Sequence, residues 1–269
     1  MQNPEKRNGC TYAIIGSSGC GKSHLLKTIF LDNVYLDDID RLKYGLPKYN
    51  VGSKKQKYIV ILFTTSAKSD VFEERRAIKN KRFLIDKRGV DEDIINYCYN
   101  INLKSEKKYR FIIILDDCIH IRYQKMIERM FLTMRNMNIS SIISLQYARL
   151  IQPAIRTSVY FTFLFCQNSD EGIELAVRSW LSSYLEGASL KAKMESFRVW
   201  TNKENGHCFY MLDNLNHTCF KVNSSYQCEQ LPMISCVTGL EFDWGMESSG
   251  NTKEEFENQK RVNKKSKSK

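Results

Sequence analysis

The stretch Gly16-Ser-Ser-Gly-Cys-Gly-Lys-Ser23 is a complete G-x-x-x-x-G-K-[ST] motif, and its neighbours decide how it is read. Ahead of it runs Tyr12-Ala-Ile-Ile15, a short apolar run that predicts a buried strand. Behind it, His24-Leu-Leu-Lys-Thr-Ile-Phe30 predicts a helix over 23–30 with Leu25, Leu26, Ile29 and Phe30 on one side. Strand, glycine-rich turn and helix form the context a phosphate-binding loop requires. In that context Gly16, Ser17, Ser18, Gly19, Cys20 and Gly21 curl so that successive N–H groups face phosphate oxygens. Lys22 is expected to reach the β- and γ-phosphates, and the Ser23 hydroxyl to ligate Mg²⁺.

A second acidic element lies downstream. Phe111-Ile-Ile-Ile-Leu-Asp-Asp-Cys118 is an apolar strand ending in two acids, the pattern of a Walker B strand. Asp116 takes the Mg²⁺ side, and Asp117 stands where a carboxylate acts as general base on an attacking water. A further apolar strand at 59–63 falls between the two elements in sequence. With the paired acids, it marks the additional-strand class of P-loop ATPases. A GTPase should carry D-x-x-G and N-K-x-D. Here Asp116-Asp-Cys-Ile119 lacks the glycine and Asn202-Lys-Glu-Asn205 lacks the acid, so ATP is the expected nucleotide. Ser141-Ile-Ile-Ser-Leu145 predicts the next strand, and Gln146 at its tip is placed to contact the γ-phosphate or the lytic water.

Outward from these motifs, strands are expected at 12–15, 59–64, 111–115, 141–145 and 160–166. Helices are expected at 23–30, 71–79, 91–103, 123–137 and 171–185. Alternating strands and helices predict an α/β domain around a mostly parallel sheet, flanked by helices. The strands read as continuous apolar runs, as they should when both sheet faces are covered. Farther on, 197–201 and 208–212 read as a β-hairpin with Asn205-Gly206 inside its loop, followed by a strand at 218–222. The expected organisation is a polar lead-in at 1–10, one ATPase domain over 11–246, and a disordered basic tail at 247–269. Within that domain lie a basic insertion at 32–57 and a β-rich part at 196–246.

Over its 269 residues the chain carries a net charge of +11, and the charge is clustered. Residues 41–57 hold six basic residues and no acid, 75–88 hold seven against Asp86, and the last ten hold six and no acid. Such clusters point to a polyanionic partner, most simply nucleic acid. The nine cysteines are scattered with no C-x-x-C pair, which fits free thiols in a reducing compartment. His207, Cys208, His217, Cys219, Cys228 and Cys236 follow no zinc-finger or ribbon spacing. No apolar run approaches the ~18 residues of a membrane helix, so no membrane partner is expected.

The run Arg135-Asn-Met-Asn-Ile-Ser-Ser-Ile-Ile-Ser-Leu-Gln146, followed by Arg149, Pro153 and Arg156, is where the sequence becomes specific. It resembles the region after Walker B in the genome-packaging ATPases of large DNA viruses, the poxvirus type, within the FtsK–HerA superfamily. The phosphate loop, the strand end at Phe63-Thr64 and Asp116-Asp117 also match. The resemblance spans roughly 11–222 and is faint outside these motifs. It implies a RecA-like ATPase that assembles into a homo-oligomeric ring and drives double-stranded DNA into a capsid through a capsid or portal partner. The implied setting is a host cell, in a cytoplasmic viral factory or the nucleus, and the virion. It also implies an arginine finger offered to a neighbouring subunit, with Arg135 and Arg156 the leading candidates and Arg149 a third. Two features depart from the pattern: the basic segment 32–57 is longer, and the spacing from Gln146 to Pro153 and Arg156 is shifted. The related alternatives are a virion- or filament-assembly ATPase acting on protein, and a nucleic-acid-binding scaffold stabilised by nucleotide.

Overall fold

In the computed structural model, the described residues are 9–26, 58–65, 83–118, 123–187, 189–225 and 227–233. The expected helix at 71–79, the basic segment 32–57 and the tail 247–269 lie outside them. All five strands expected for the parallel sheet are present: β1 (Thr11–Ile15), β2 (Tyr58–Thr64), β4 (Arg110–Asp116), β5 (Ile139–Leu145) and β6 (Phe161–Leu164). A short strand that the sequence did not announce, β3 (Phe83–Asp86), pairs with β2. Among themselves these six strands pair in parallel.

Their continuous apolar character has a direct cause. Tyr12, Ile14, Ile112, Ile114 and Ile142 pack on one side of the sheet with Leu25 of α1 (Lys22–Leu25) and Leu26, which follows it. Ala13, Ile15, Ile113, Leu115, Ile143 and Leu145 pack on the other. Strand side chains alternate between faces, so a strand covered on both faces needs apolar residues at every position. The second face is covered by α2 (Glu92–Lys104), α3 (Gln124–Leu132), α4 (Pro153–Ser158), α5 (Asp170–Ala176) and α6 (Leu190–Thr201). Asp91 starts α2 by accepting from the amides of Asp93 at 2.9 Å and Ile94 at 3.2 Å, as an N-cap aspartate does.

The strand order is β3-β2-β4-β5-β1-β6, continued by three antiparallel strands: β7 (Phe209–Asp213), β8 (Thr218–Val222) and β9 (Cys228–Leu231). This is an α/β P-loop fold of the RecA-like, additional-strand kind. The strand that separates the two motif-bearing strands in space is β5. The strand at 59–63, which separates them in sequence, lies on the far side of β4.

Two helices differ from expectation. The helix expected at 123–137 breaks at Thr133, whose hydroxyl back-bonds to the Arg129 carbonyl at 2.7 Å. A 3-10 turn, Met134–Met137, then leads to Asn138 at φ +58, which turns the chain into β5. The helix expected at 171–185 runs as α5 and continues into a π turn, Val177–Leu181.

The hairpin expected from 197–201 and 208–212 is corrected: 197–201 is the end of α6, not a strand. Leu190, Met194, Phe197 and Thr201 recur at helical spacing and turn toward the core. Phe197 is fully buried and stacks on Tyr210 with ring centroids 5.7 Å apart. The β-forming residues of 197–201 are overruled by this stripe, which begins upstream of them. The real hairpin joins β7 and β8. Its turn is closed by Asp213, which accepts from the amides of Leu215 at 2.9 Å and Asn216 at 3.1 Å. Asn205-Gly206 instead lies in the connection from α6 to β7. No helix among the described residues is long and apolar enough to cross a membrane.

The helical assignment of 197–201 is testable at Val199, which is 61% exposed. Val199→Pro is expected to cost about 3 kcal/mol in chemical denaturation, because proline removes a helical hydrogen bond and clashes with the preceding turn. Val199→Ala should be neutral or slightly stabilising, given alanine's higher helix propensity. Equal stabilities for the two variants would contradict the helix.

Candidate nucleotide site

Parallel strands share one carboxyl edge, and at that edge β1, β4 and β5 each deliver one part of the site. The phosphate loop leaves β1 pinned on both flanks. The Gly16 amide donates to the Leu145 carbonyl at 3.0 Å, and the Ser17 amide to the Cys166 carbonyl at 2.8 Å. Gly16 is required by close approach: a Cβ there would lie 2.5 Å from the Phe165 Cβ and 2.6 Å from the Cys20 Sγ. Gly21 is required by conformation, at φ +104, where a side chain would be strained and would also strike His207.

Lys22 is buried, and its ammonium donates to the carbonyls of Gly16 at 2.6 Å and Ser17 at 3.1 Å. An ammonium has three donors, so one remains to meet a phosphate oxygen. Ser23, exposed in the first turn of α1, offers a hydroxyl beside it. Cys20 is almost fully buried, and burial raises its thiol pKa although Lys22 pulls the other way. It packs the loop from beneath and lacks the thiolate character of a reactive cysteine.

Asp116 and Asp117 are adjacent but sit in different surroundings. Asp116 is 4% exposed, and burial pushes its carboxyl up from the ordinary value. Ser144, its partner across the β4–β5 ladder, pulls it down by proximity, though that hydroxyl makes no hydrogen bond of good geometry. Asp117 raises it further, and Lys22 lowers it through space, which places the lysine and this acid in one site. A buried carboxylate short of positive charge and the exposed Ser23 hydroxyl of the loop are the kind of oxygen donors that fit Mg²⁺ shared with phosphates and waters. No group of three or more His, Cys, Asp or Glu stands ready to hold a metal alone among the described residues.

Asp117 is exposed and has left the strand at φ +50. Its amide donates to the Ser144 carbonyl at 3.0 Å. Its Oδ2 accepts from Gln146 Nε2 at 3.0 Å. The expected general base and the expected phosphate sensor are therefore in contact across the tips of neighbouring strands.

The arginines separate. Arg156 donates to the Ile151 carbonyl at 2.9 Å and to Ser179 Oγ at 3.0 Å, and its guanidinium stands 5.7 Å from the Trp180 ring. It is tied into its own chain. Arg135 precedes β5, at the opposite end of the strand from Gln146, and donates to the Tyr160 hydroxyl at 2.8 Å. Neither is brought to this chain's own phosphate loop. Arg149 lies just after Gln146, is exposed, and pairs loosely with Glu171 at 3.9 Å.

Two residues at the site were assigned no role from the sequence. Lys203 Nζ donates to the Ser18 carbonyl at 3.3 Å. His207 stands against Gly21 so closely that a Cβ there would lie 2.8 Å from its Cγ. Both come from the α6–β7 connection, where an expected hairpin hid their reach; only the helical stripe of α6 could have indicated it.

No protein-family model matches the chain, and no curated protein does. Solved structures do share the fold. The genome packaging NTPase B204 from Sulfolobus turreted icosahedral virus 2 in complex with AMPPCP matches with TM-score 0.52 at 13% identity. That match covers 87% of this chain and 100% of that one. The same protein in complex with AMP gives TM-score 0.51 at 13% identity with the same coverage. B204 from Sulfolobus turreted icosahedral virus, described as its DNA-packaging ATPase, gives 0.50 at 14% identity, over 86% and 100%. At these identities the likeness establishes the fold.

Asp116 carries a sign that denaturation can check. Its raised pKa means that the folded chain holds the proton more tightly than the unfolded chain, so the ionised carboxylate costs stability at neutral pH. Asp116→Asn is expected to raise the melting temperature at pH 7 without Mg²⁺. The gain should shrink on acidification and vanish below the ordinary value of 3.8, where the carboxyl is protonated in both the folded and the unfolded chain. A gain that grows on acidification would contradict the assignment.

Proposed function

We propose that this chain is an ATP-hydrolysing motor that moves double-stranded DNA into a viral capsid. The observation that carries hydrolysis is the Gln146–Asp117 contact of 3.0 Å, at the strand tips beside the phosphate loop. A loop that only bound nucleotide would not need an exposed carboxylate oriented by an amide. In the reaction the loop amides and Lys22 hold the β- and γ-phosphates in place. Mg²⁺, held by Ser23 and Asp116, would neutralise charge on the phosphate oxygens. Asp117 takes the proton of the attacking water, and Gln146 keeps that carboxylate aimed while its amide remains within reach of the γ-phosphate.

The DNA substrate is supported by the charge of +11 with its basic clusters, and by the fold shared with a DNA-packaging ATPase. Fold analogy alone does not assign a substrate, so the charge is the independent support. Action as a ring would need an arginine in trans. Arg156 and the half-buried Arg135 are each tied into their own chain, the latter to Tyr160 at the opposite edge, whereas Arg149 stays exposed at the nucleotide edge.

The deciding measurement is steady-state ATP hydrolysis with and without long double-stranded DNA. The wild type should be stimulated by DNA, with the stimulation falling steeply as salt rises. Asp117→Asn should keep ATP binding and lose about 10²–10⁴-fold in kcat, the usual worth of a positioned base. Lys22→Ala should lose both. Hydrolysis indifferent to DNA would favour an assembly ATPase acting on protein, and no turnover would favour a nucleotide-stabilised scaffold.

A further inference from the structure

We propose that the connection 202–208 is the nucleoside end of the site, with His207 as the stacking surface for a purine base and Lys203 as its anchor on the phosphate loop. The inference rests on the nucleotide reading and adds where the base goes. Across the sheet the order is β4-β5-β1-β6-β7. Asp116, Asp117 and Gln146 all lie on the β4–β5 side of the phosphate loop, so the γ-phosphate must end on that side. The loop holds the middle of the triphosphate. The α-phosphate and nucleoside therefore run the other way, toward β6 and β7, and the connection 202–208 feeds β7.

Its residues are positioned for that task. Lys203 reaches the Ser18 carbonyl at 3.3 Å. The His207 imidazole stands at Gly21, whose added Cβ would lie 2.9 Å from the His207 Cβ and 3.1 Å from its Nδ1. His207 is exposed, and its ring makes no hydrogen bond among the described residues.

The connection is also braced from within. Asn202 Oδ1 accepts from the Glu204 amide at 3.2 Å, and the Gly206 amide donates to the Lys203 carbonyl at 3.1 Å. Asn205 Nδ2 donates to the Val199 carbonyl at 2.8 Å. These bonds order the backbone that leads up to His207. A flat exposed ring packed against Gly21 can stack on the base of the nucleotide, because every base offers a π-face.

Titration calorimetry of the full chain with Mg²⁺-ATP and with inorganic tripolyphosphate tests the proposal. His207→Ala should raise the Kd for ATP about tenfold, the scale of a lost base stack, and leave tripolyphosphate within twofold. His207→Phe should recover most of the ATP affinity, since it keeps a flat ring. Lys203→Gln should weaken ATP more than tripolyphosphate by loosening the anchor. Unchanged ATP affinity in His207→Ala, or equal weakening of both ligands, would overturn the nucleoside role while leaving nucleotide binding intact. A wild-type chain that binds neither ligand would overturn both readings together.

Discussion

Everything at the candidate site depends on the sheet being buried on both faces. With apolar side chains alternating to two packed layers, a one-residue slip of any central strand would not expose a polar face; it would exchange two shaped cores. The register β4–β5 and β5–β1 is thereby held, and with it the height at which each strand ends. Gln146 meets Asp117, and Gly16 meets Leu145, because those strands stop at matching levels. The chemistry-bearing residues are polar, but their geometry is set by isoleucine, leucine and phenylalanine beneath them.

The two adjacent acids occupy unlike surroundings. Asp116 ends the strand inside the sheet, where burial disfavours its charge and creates a demand for a cation. Asp117 leaves the strand through a left-handed backbone and emerges into solvent, where an amide can hold it. Neighbouring carboxylates placed in unlike environments are a recurring way to separate a binding role from an acid–base role.

The antiparallel extension matters for a related reason. By adding β7 beside β6, it brings the α6–β7 connection back over the phosphate loop, although Lys203 and Ser18 are far apart in sequence. Phe197 stacked on Tyr210 ties α6 to β7 and so sets where that connection begins. The candidate phosphate loop and the connection that faces it are thus tied together both directly, by Lys203 and Ser18, and through aromatic packing in the core.

The sequence by itself determined the central parallel strands and the motifs that make up the candidate site. Buried parallel strands read as unbroken apolar runs, and the glycine-rich turn and the paired acids carry their meaning within a few residues. Gln146 was legible because it follows a strand directly. The boundaries of 123–137 and the state of 197–201 were not, since the first turned on a back-bonding threonine and a left-handed asparagine. The second turned on a helical stripe that outweighs local β-propensity only once Tyr210 is there to receive it. The tertiary structure alone decided that β5, not the strand at 59–63, separates the two motif strands. It also decided that Arg156 is committed inside its own chain, and that Lys203 and His207 reach the loop. Each of these depends on which distant segments become neighbours, and that is settled by packing two faces of a sheet at once, which no short window of sequence contains.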